Sequence, residues 1–153
     1  MVFSENALMI DTIDLRKDFF PAFLMTLGYG FVFYFVQFFI YKIGVTFLLP
    51  DDITLARWDA PIYRDVSTHG YHSRDVGVMV LFPMIWRILH VGYSGIAIAN
   101  FILFAAGFSL ICSICRVSAN ERFLWLTTPS LYFMWVPYTE ATFCIITAIF
   151  FMQ

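Results

Sequence analysis

The residues best suited to chemistry are concentrated in one polar stretch, RWDAPIYRDVSTHGYHSRD, at positions 57–75. It holds three arginines, three aspartates and two histidines in a chain that is otherwise mostly apolar. From Trp58 to Val66 the spacing of apolar residues favours a short amphipathic helix. One interpretation is a solvated helix beside a membrane, whose Asp59 caps its own N-terminus. The other is a carboxylate at a membrane-facing cleft that takes a proton from an acceptor hydroxyl.

The same stretch has a weaker metal-like pattern. His69, His72 and Asp75 are separated by three residues each, as ligands on a helix can be, but Gly70 disfavours a helix there. No fourth ligand accompanies them. The favoured interpretation is exposed loop histidines, followed by contact with a phosphate or a sugar. No cofactor is therefore predicted, and a divalent metal is the least favoured option.

A second acidic residue follows in WVPYTEATF. Glu140 is expected in the first turn of the last helix, with Thr139 as its N-cap. A carboxylate there interacts favourably with the helix dipole. Ionisable residues at the ends of membrane helices also line functional cavities. Both interpretations stay open from the sequence.

Composition indicates the class of protein that carries these residues. The chain has 153 residues, of which 61% are hydrophobic and 13% charged, whereas soluble domains carry about 25% charged residues. A multi-pass membrane protein accounts for this balance. The formal net charge of -2 leaves no basic stripe for nucleic acid. Cys112 and Cys115 lie in an apolar run, which is typical of ordinary cysteines in a membrane helix.

The apolar runs predict an all-α, polytopic fold with about four transmembrane helices. Arg16 and Lys17 flank the first run, so residues 1–18 are expected to form a cytoplasmic tail. Residues 19–153 are expected to form the transmembrane domain. The predicted spans lie in residues 19–50, 93–115 and 123–136 and from residue 139 onward.

The run VGVMVLFPMIWRILHVG is shorter. Only 11 uncharged residues separate Asp75 from Arg87, and Pro83 among them is expected to break helical bonding. Such a run favours an interfacial or re-entrant helix. The N-terminus and the segment RVSANER then share the cytoplasmic side. Residues 50–92 become the first extracytoplasmic loop, on the same face as LFPMIW and WVPYTE.

Three blocks together resemble the GPI mannosyltransferase 2 (PIG-V-like) family and its bacterial relatives. These are RWDAPIYRDVSTHGY, LFPMIWRIL and TPSLYFMWVPYTEATF, in the family's order, and the resemblance covers residues 20–153. Leu81 departs from the pattern, since many members have a second aromatic residue there. Members are also several hundred residues long, so the chain is expected to be an N-terminal portion. The matching residues are Trp58, Asp59, Tyr63, Val66, Gly70, Tyr71, Phe82, Pro83, Pro129, Tyr138, Thr139, Glu140 and Phe143.

The resemblance implies a GT-C glycosyltransferase that moves a sugar, mannose first of all, from a polyprenyl- or dolichyl-phosphate donor. The acceptor is an extracytoplasmic glycan or glycolipid, and the location is the bacterial cytoplasmic membrane or the endoplasmic reticulum membrane. Asp59 becomes the catalytic base. The alternatives are a non-catalytic membrane subunit, a truncated inactive fragment, or a piece of a small transporter or channel. The implied substrate-binding residues are Arg57, Trp58, Arg64, His69, Tyr71, Arg74, Phe82, Pro83, Tyr138 and Glu140, with the leaving phosphate assigned to Arg57, Arg64, Arg74 and His69.

Overall fold

A computed structural model describes residues 15–42, 55–56, 59–71, 80–128 and 139–151 of the chain. Within these ranges the regular structure is helical, and no strand occurs, so the all-α prediction is confirmed for this part of the chain. The helices are, in chain order, α1 (Leu15–Lys42), α2 (Ala60–His69), α3 (Leu81–Leu89), α4 (Tyr93–Ile114), α5 (Ala119–Leu126) and α6 (Glu140–Phe150).

Two of these helices are long and apolar enough to span a bilayer, namely α1 and α4. The 22 residues of α4 extend over about 33 Å, which matches a hydrocarbon core of about 30 Å. Half of α4 is buried within the protein, whereas only 17% of the α1 window Lys17–Val36 is. Helix α4 is therefore the central helix, and α1 directs most of its apolar side chains outward.

Small residues let α1 approach α4 closely. Ala22, Thr26 and Gly30 are buried and recur at every fourth position of α1, so they share one face. The Thr26 hydroxyl donates a hydrogen bond to the Ala22 carbonyl at 2.9 Å, which satisfies this polar group inside the helix pair. A Cβ atom on Gly30 would lie 2.2 Å from the Phe101 ring, so the absence of a side chain makes room for this ring.

The two long helices run antiparallel, because their contacts pair opposite ends. Gly30 of α1 meets Phe101 in the first half of α4, while Asp18 near the start of α1 meets Arg122 just beyond the end of α4. Nη2 of Arg122 lies 3.7 Å from Oδ1 of Asp18, and its Nε donates to the Val117 carbonyl at 2.7 Å. The start of α1 and the segment RVSANER are thus at the same end of the helix pair.

The last described helix, α6, packs along α4 at a glycine. A Cβ atom on Gly107 would lie 2.9 Å from the backbone nitrogen of Ile145, so the two helix backbones are in close contact there. Thr139 occupies the N-cap position of α6 but forms no side-chain cap hydrogen bond. Glu140 is in the first turn, as predicted.

Helix α3 has nine residues and a length of about 14 Å, which is too short to span a bilayer. Pro83 is the third residue of this helix, in the first turn. Backbone N–H groups in the first turn have no partner within the helix, so proline costs little there. The prediction that Pro83 breaks the helix is therefore wrong.

The predicted span over residues 123–136 is only partly described. Helix α5 enters it and ends at Leu126, and residues 129–138 lie outside the described residues. The start of α5 carries a capping box, in which Ser118 and Glu121 exchange hydrogen bonds through side chain and backbone. This helix start lies at the end of the molecule that also holds Asp18.

Candidate functional site

Tyr63 connects three helices that are far apart in the sequence. It lies on α2, and its ring meets the Phe82 ring of α3 edge-on, with 5.3 Å between centroids. The Thr139 side chain at the start of α6 lies near enough to the phenol to lower its pKa as a hydrogen-bonding group. The segments RWDAPIYRDVSTHGY, LFPMIWRIL and TPSLYFMWVPYTEATF thus contribute one residue each to this junction.

The charges of two carboxylates act on the Tyr63 phenol. Burial is the main cause that raises the pKa of Tyr63 above its usual value of 10.0, and the negative charges of Asp59 and Glu140 raise it further. The hydrogen bond with Thr139 acts in the opposite direction, but the net shift is upward. Because its pKa is raised, Tyr63 is a neutral phenol at physiological pH, with a proton to donate.

Asp59 does not cap the helix that it precedes. It occupies the N-cap position of α2, and its carbonyl accepts the Tyr63 N–H at 3.0 Å, but its side chain makes no cap hydrogen bond. The residue is exposed. The capping interpretation of Asp59 is therefore wrong, and the carboxylate is presented to the surroundings next to the Tyr63 junction.

Glu140 reaches the junction from α6. The residue is half-buried, and its Oε2 atom is buried without a hydrogen-bond partner among the described residues. Oγ1 of Thr142, two positions further along α6, is also buried without a hydrogen-bond partner among the described residues. Buried polar atoms are nearly always hydrogen-bonded, so these two atoms are suited to bind water or a polar ligand group.

A polar cleft of about 370 Å³ opens between α2 and α3, beyond Tyr63. Two arginines, Arg64 and Arg87, line it together with His90. The Arg64 guanidinium lies 4.7 Å from the centroid of the Tyr93 ring, a cation–π contact that orients it. Arg87 and His90 were not predicted as site residues. Arg87 is in the last turn of α3 and His90 directly follows the helix, and this spacing of three is the sequence signal that could have identified them.

The other predicted substrate-binding residues occupy different positions. Phe82 and Pro83 are buried and support Tyr63 and α3, whereas Tyr71 is exposed and lines an apolar groove next to the cleft. Nδ1 of His69 lies 2.9 Å from Oδ1 of Asp65 on an exposed face of α2, away from the residues that line the cleft. Four of the predicted residues lie outside the described residues: Arg57, Trp58, Arg74 and Tyr138.

The described part of the chain contains no group of three His, Cys, Asp or Glu residues able to hold a metal ion. His72 and Asp75, which belong to the metal-like pattern, lie outside it. Cys112 is a buried free thiol within α4, and Cys115 is an exposed free thiol at its end.

The described site thus combines the exposed carboxylate of Asp59, the neutral phenol of Tyr63 and the half-buried carboxylate of Glu140. The cationic cleft lined by Arg64 and Arg87 lies on the adjoining face of α2. Such a set can deprotonate a hydroxyl and bind an anionic group. No protein-family model, curated protein or solved structure gives a significant match to the chain.

Proposed function

We propose that the chain is a glycosyltransferase, or the N-terminal portion of one, that moves a sugar from a polyprenyl-phosphate donor to an extracytoplasmic acceptor. Mannose is the first choice of sugar because of the family resemblance. The observation that supports this proposal best is the Tyr63 junction. Asp59 and Glu140 come from two different blocks of the resemblance, and the charge of each acts on the same phenol.

Asp59 is the base in this proposal. Its carboxylate takes the proton from the acceptor hydroxyl while the hydroxyl oxygen forms a bond to C1 of the donor sugar. The bond between C1 and the phosphate oxygen breaks, and the phosphate of the carrier lipid leaves with the electron pair. The neutral Tyr63 phenol donates a hydrogen bond within this site, and Glu140 binds a sugar hydroxyl through its buried oxygen.

The positions of the helix ends support the membrane arrangement in this proposal. The start of α1 and the start of α5 lie on the cytoplasmic side, where Lys17, Arg116 and Arg122 satisfy the positive-inside rule. Helices α2 and α3 lie at the opposite, extracytoplasmic face, with α3 in the interface. The predicted third and fourth spans complete a multi-pass protein.

The direct test replaces Asp59 by Asn at the natural gene and measures transfer from a radiolabelled polyprenyl-phosphate sugar in isolated membranes. Loss of a general base lowers the rate by about 10²- to 10⁴-fold. Asp65→Asn is the matched control, because Asp65 is on the same helix and pairs with His69 on an exposed face.

Unchanged transfer in the Asp59→Asn variant at equal protein levels would remove Asp59 from this role. Co-purification of a second membrane protein together with a harmless Asp59→Asn change would favour the non-catalytic subunit. An equal loss in both variants would show a general effect of charge on α2, and the assignment of the base would fail.

A further inference from the structure

The first turn of α6 carries two polar atoms that its conformation leaves unsatisfied. Oε2 of Glu140 and Oγ1 of Thr142 are both buried, and neither has a hydrogen-bond partner among the described residues. Thr142 as a whole is only 4% exposed. A buried oxygen without a partner costs free energy, because it has lost its hydrogen bonds to water and gained none. Two such atoms in one turn therefore destabilise the arrangement in which the turn is held.

The start of α6 also lacks a cap. Thr139 is in the N-cap position, but its backbone is in the helical region, with φ of -80° and ψ of -12°, whereas N-cap residues are usually extended. Its side chain makes no cap hydrogen bond. Helix α5 differs in this respect, because Ser118 and Glu121 form a complete capping box at its start. The first turn of α6 is therefore the less stabilised of the two.

Two contacts hold this part of α6 against other helices. At its start, the Thr139 side chain interacts with the Tyr63 phenol of α2. About one and a half turns further on, the Ile145 backbone lies against Gly107 of α4, at a distance that leaves no room for a Cβ atom. Between them, Ala141 is fully buried but contributes only a methyl group. The first turn can therefore leave α2 with a small loss of apolar contact, while the rest of α6 stays on α4.

We propose that residues 139–142 form a gate that opens away from α2, and that the described arrangement is its closed state. Opening separates Thr139 from Tyr63 and brings Oε2 of Glu140 and Oγ1 of Thr142 into contact with water. The contact between Ile145 and Gly107 is the pivot. This inference rests on the proposed function in one respect, namely that the open gate admits a sugar hydroxyl to Glu140, whose Oε2 atom is out of reach while it is buried.

The opening is measured by hydrogen exchange at single backbone amides, with the purified full chain in detergent micelles and without substrate. The Phe143 N–H donates to the Thr139 carbonyl at 2.9 Å and is the first helical bond of α6. The Arg122 N–H donates to the Ser118 carbonyl at the same distance and is its counterpart in the capped helix α5. After correction for intrinsic rates, we expect Phe143 to exchange about tenfold faster or more. Equal exchange at the two amides would overturn the gate.

Thr142→Val tests whether the unsatisfied hydroxyl favours opening. Valine keeps the shape of threonine but has no polar atom to bury, so the closed state gains stability. We expect Phe143 exchange to slow by about fivefold or more, the factor that corresponds to the smallest cost of an unsatisfied buried polar atom. The midpoint of thermal unfolding is expected to rise.

Thr26→Val is the matched control. Thr26 is also buried in a membrane helix, but its hydroxyl donates to the Ala22 carbonyl at 2.9 Å, so valine relieves no unsatisfied atom there. We expect neither slower exchange at Phe143 nor a higher unfolding midpoint. Thr142→Ala, with Thr26→Ala as its control, repeats the test with a smaller side chain in case valine does not fit. Unaltered Phe143 exchange in both Thr142 variants would overturn the proposal.

Tyr63→Phe tests the contact that keeps the gate closed. The variant retains the ring that packs on Phe82 but lacks the hydroxyl that interacts with Thr139. We expect Phe143 exchange to accelerate several-fold, while Arg122 exchange in α5 stays as it is. Equal acceleration at both amides would show a general loss of stability and would count against the gate.

The exchange test requires neither substrate nor transfer, so the two proposals fail separately. If Thr142→Val slows Phe143 exchange but Asp59→Asn leaves transfer unchanged, the gate stands and the assignment of the base is wrong. If transfer needs Asp59 but the Thr142 variants do not alter exchange, the gate is wrong and the proposed function stands. Where both hold, Thr142→Val is expected to raise the KM for the sugar substrate by the factor that exchange slows, because only the open fraction binds.

Discussion

The Tyr63 phenol lies where α2 comes near Thr139 at the start of α6. Tyr63→Phe keeps the ring that packs on Phe82 but removes the hydroxyl that interacts with Thr139, so we expect a loss of about 1 kcal/mol in the free energy of unfolding. Transfer is expected to fall several-fold, because the phenol proton that the proposed site donates is then absent. Thermal unfolding in detergent and the transfer assay measure the two effects.

The stability that the Tyr63 hydroxyl contributes is expected to decrease at high pH. The pKa of Tyr63 is raised in the folded protein, so the folded state holds the phenol proton more tightly than the unfolded state does. The contribution of this proton to the free energy of unfolding is complete below pH 10.0, the pKa of the phenol in the unfolded chain. It is lost as the pH rises through the higher pKa of the folded protein. We therefore expect the stability difference between the unaltered chain and Tyr63→Phe to narrow above pH 10. A constant difference, or the same narrowing for the exposed Tyr71→Phe, would contradict this assignment.

The sequence was sufficient to single out Asp59 and Glu140 but not the residue that joins them. Glu140 is a charged group among mostly apolar neighbours, and Asp59 lies in the one polar stretch of a mostly apolar chain, which makes each conspicuous. Tyr63 is one of eight tyrosines, and its contact with Thr139 depends on how α2 and α6 meet in space. Arg87 and His90 were missed because the run VGVMVLFPMIWRILHVG was interpreted by the length of its uncharged part and by Pro83, and its polar residues remained unassigned.

Among the helices, the α4–α6 contact depends most on a single residue. Gly107→Ala introduces a methyl group 2.9 Å from the Ile145 backbone nitrogen, and a backbone cannot rotate aside as a side chain can. We expect a loss of about 1–3 kcal/mol in the free energy of unfolding, as for other overpacked contacts. Unfolding by a denaturing detergent measures it.

Gly28→Ala is the matched control for Gly107→Ala. It is also a helical glycine, but a Cβ atom there would meet nothing within 4 Å. Alanine favours a helix by about 1 kcal/mol over glycine, so this variant is expected to be as stable as the unaltered chain or slightly more so. An equal loss in both variants would show that close approach at Gly107 is not the cause.

Helix boundaries followed from the sequence where charge or glycine marked them. The predicted span of residues 93–115 corresponds to α4, which ends one residue earlier at Ile114. Helix α1 begins at Leu15, before the apolar run, because Arg16, Lys17 and Asp18 are compatible with a helix in contact with water. The prediction that Pro83 breaks the helix was wrong because the effect of a proline depends on its distance from the helix start. No residue in the sequence marked where α3 starts.

Over the whole molecule, polar groups gather at two opposite ends of the long helices. The start of α1 and the start of α5 form one end, where Asp18 meets Arg122. Helices α2 and α3 form the other. The positive-inside rule predicted that the N-terminus and RVSANER share a side, and the Asp18–Arg122 contact places the start of α1 and RVSANER at the same end of the helix pair. The number of spans was less predictable, because apolar composition alone does not distinguish a spanning helix from a short buried one.

Cysteine labelling tests this arrangement in a membrane. Cys115 is native and exposed at the α5 end, and Thr68→Cys places a second thiol on the exposed surface of α2. We expect a membrane-impermeant maleimide to label Thr68→Cys in intact cells, and Cys115 only after permeabilisation. The Cys115→Ser background isolates the signal from α2. Labelling of both positions from the same side would contradict the proposed topology.

The antiparallel pairing of α1 with α4 has a consequence for biosynthesis. In the proposed topology, α1 enters the bilayer before α4, and its stripe of small residues cannot pack on α4 until α4 has been synthesised. The intervening chain, with its arginines and aspartates, must cross the membrane before α4 can insert in the opposite direction. The insertion machinery therefore has to retain α1 during that transfer. Most apolar side chains of α1 face outward, so this helix is stable in lipid before α4 is present. Arg122 can contact Asp18 only when α4 is fully inserted.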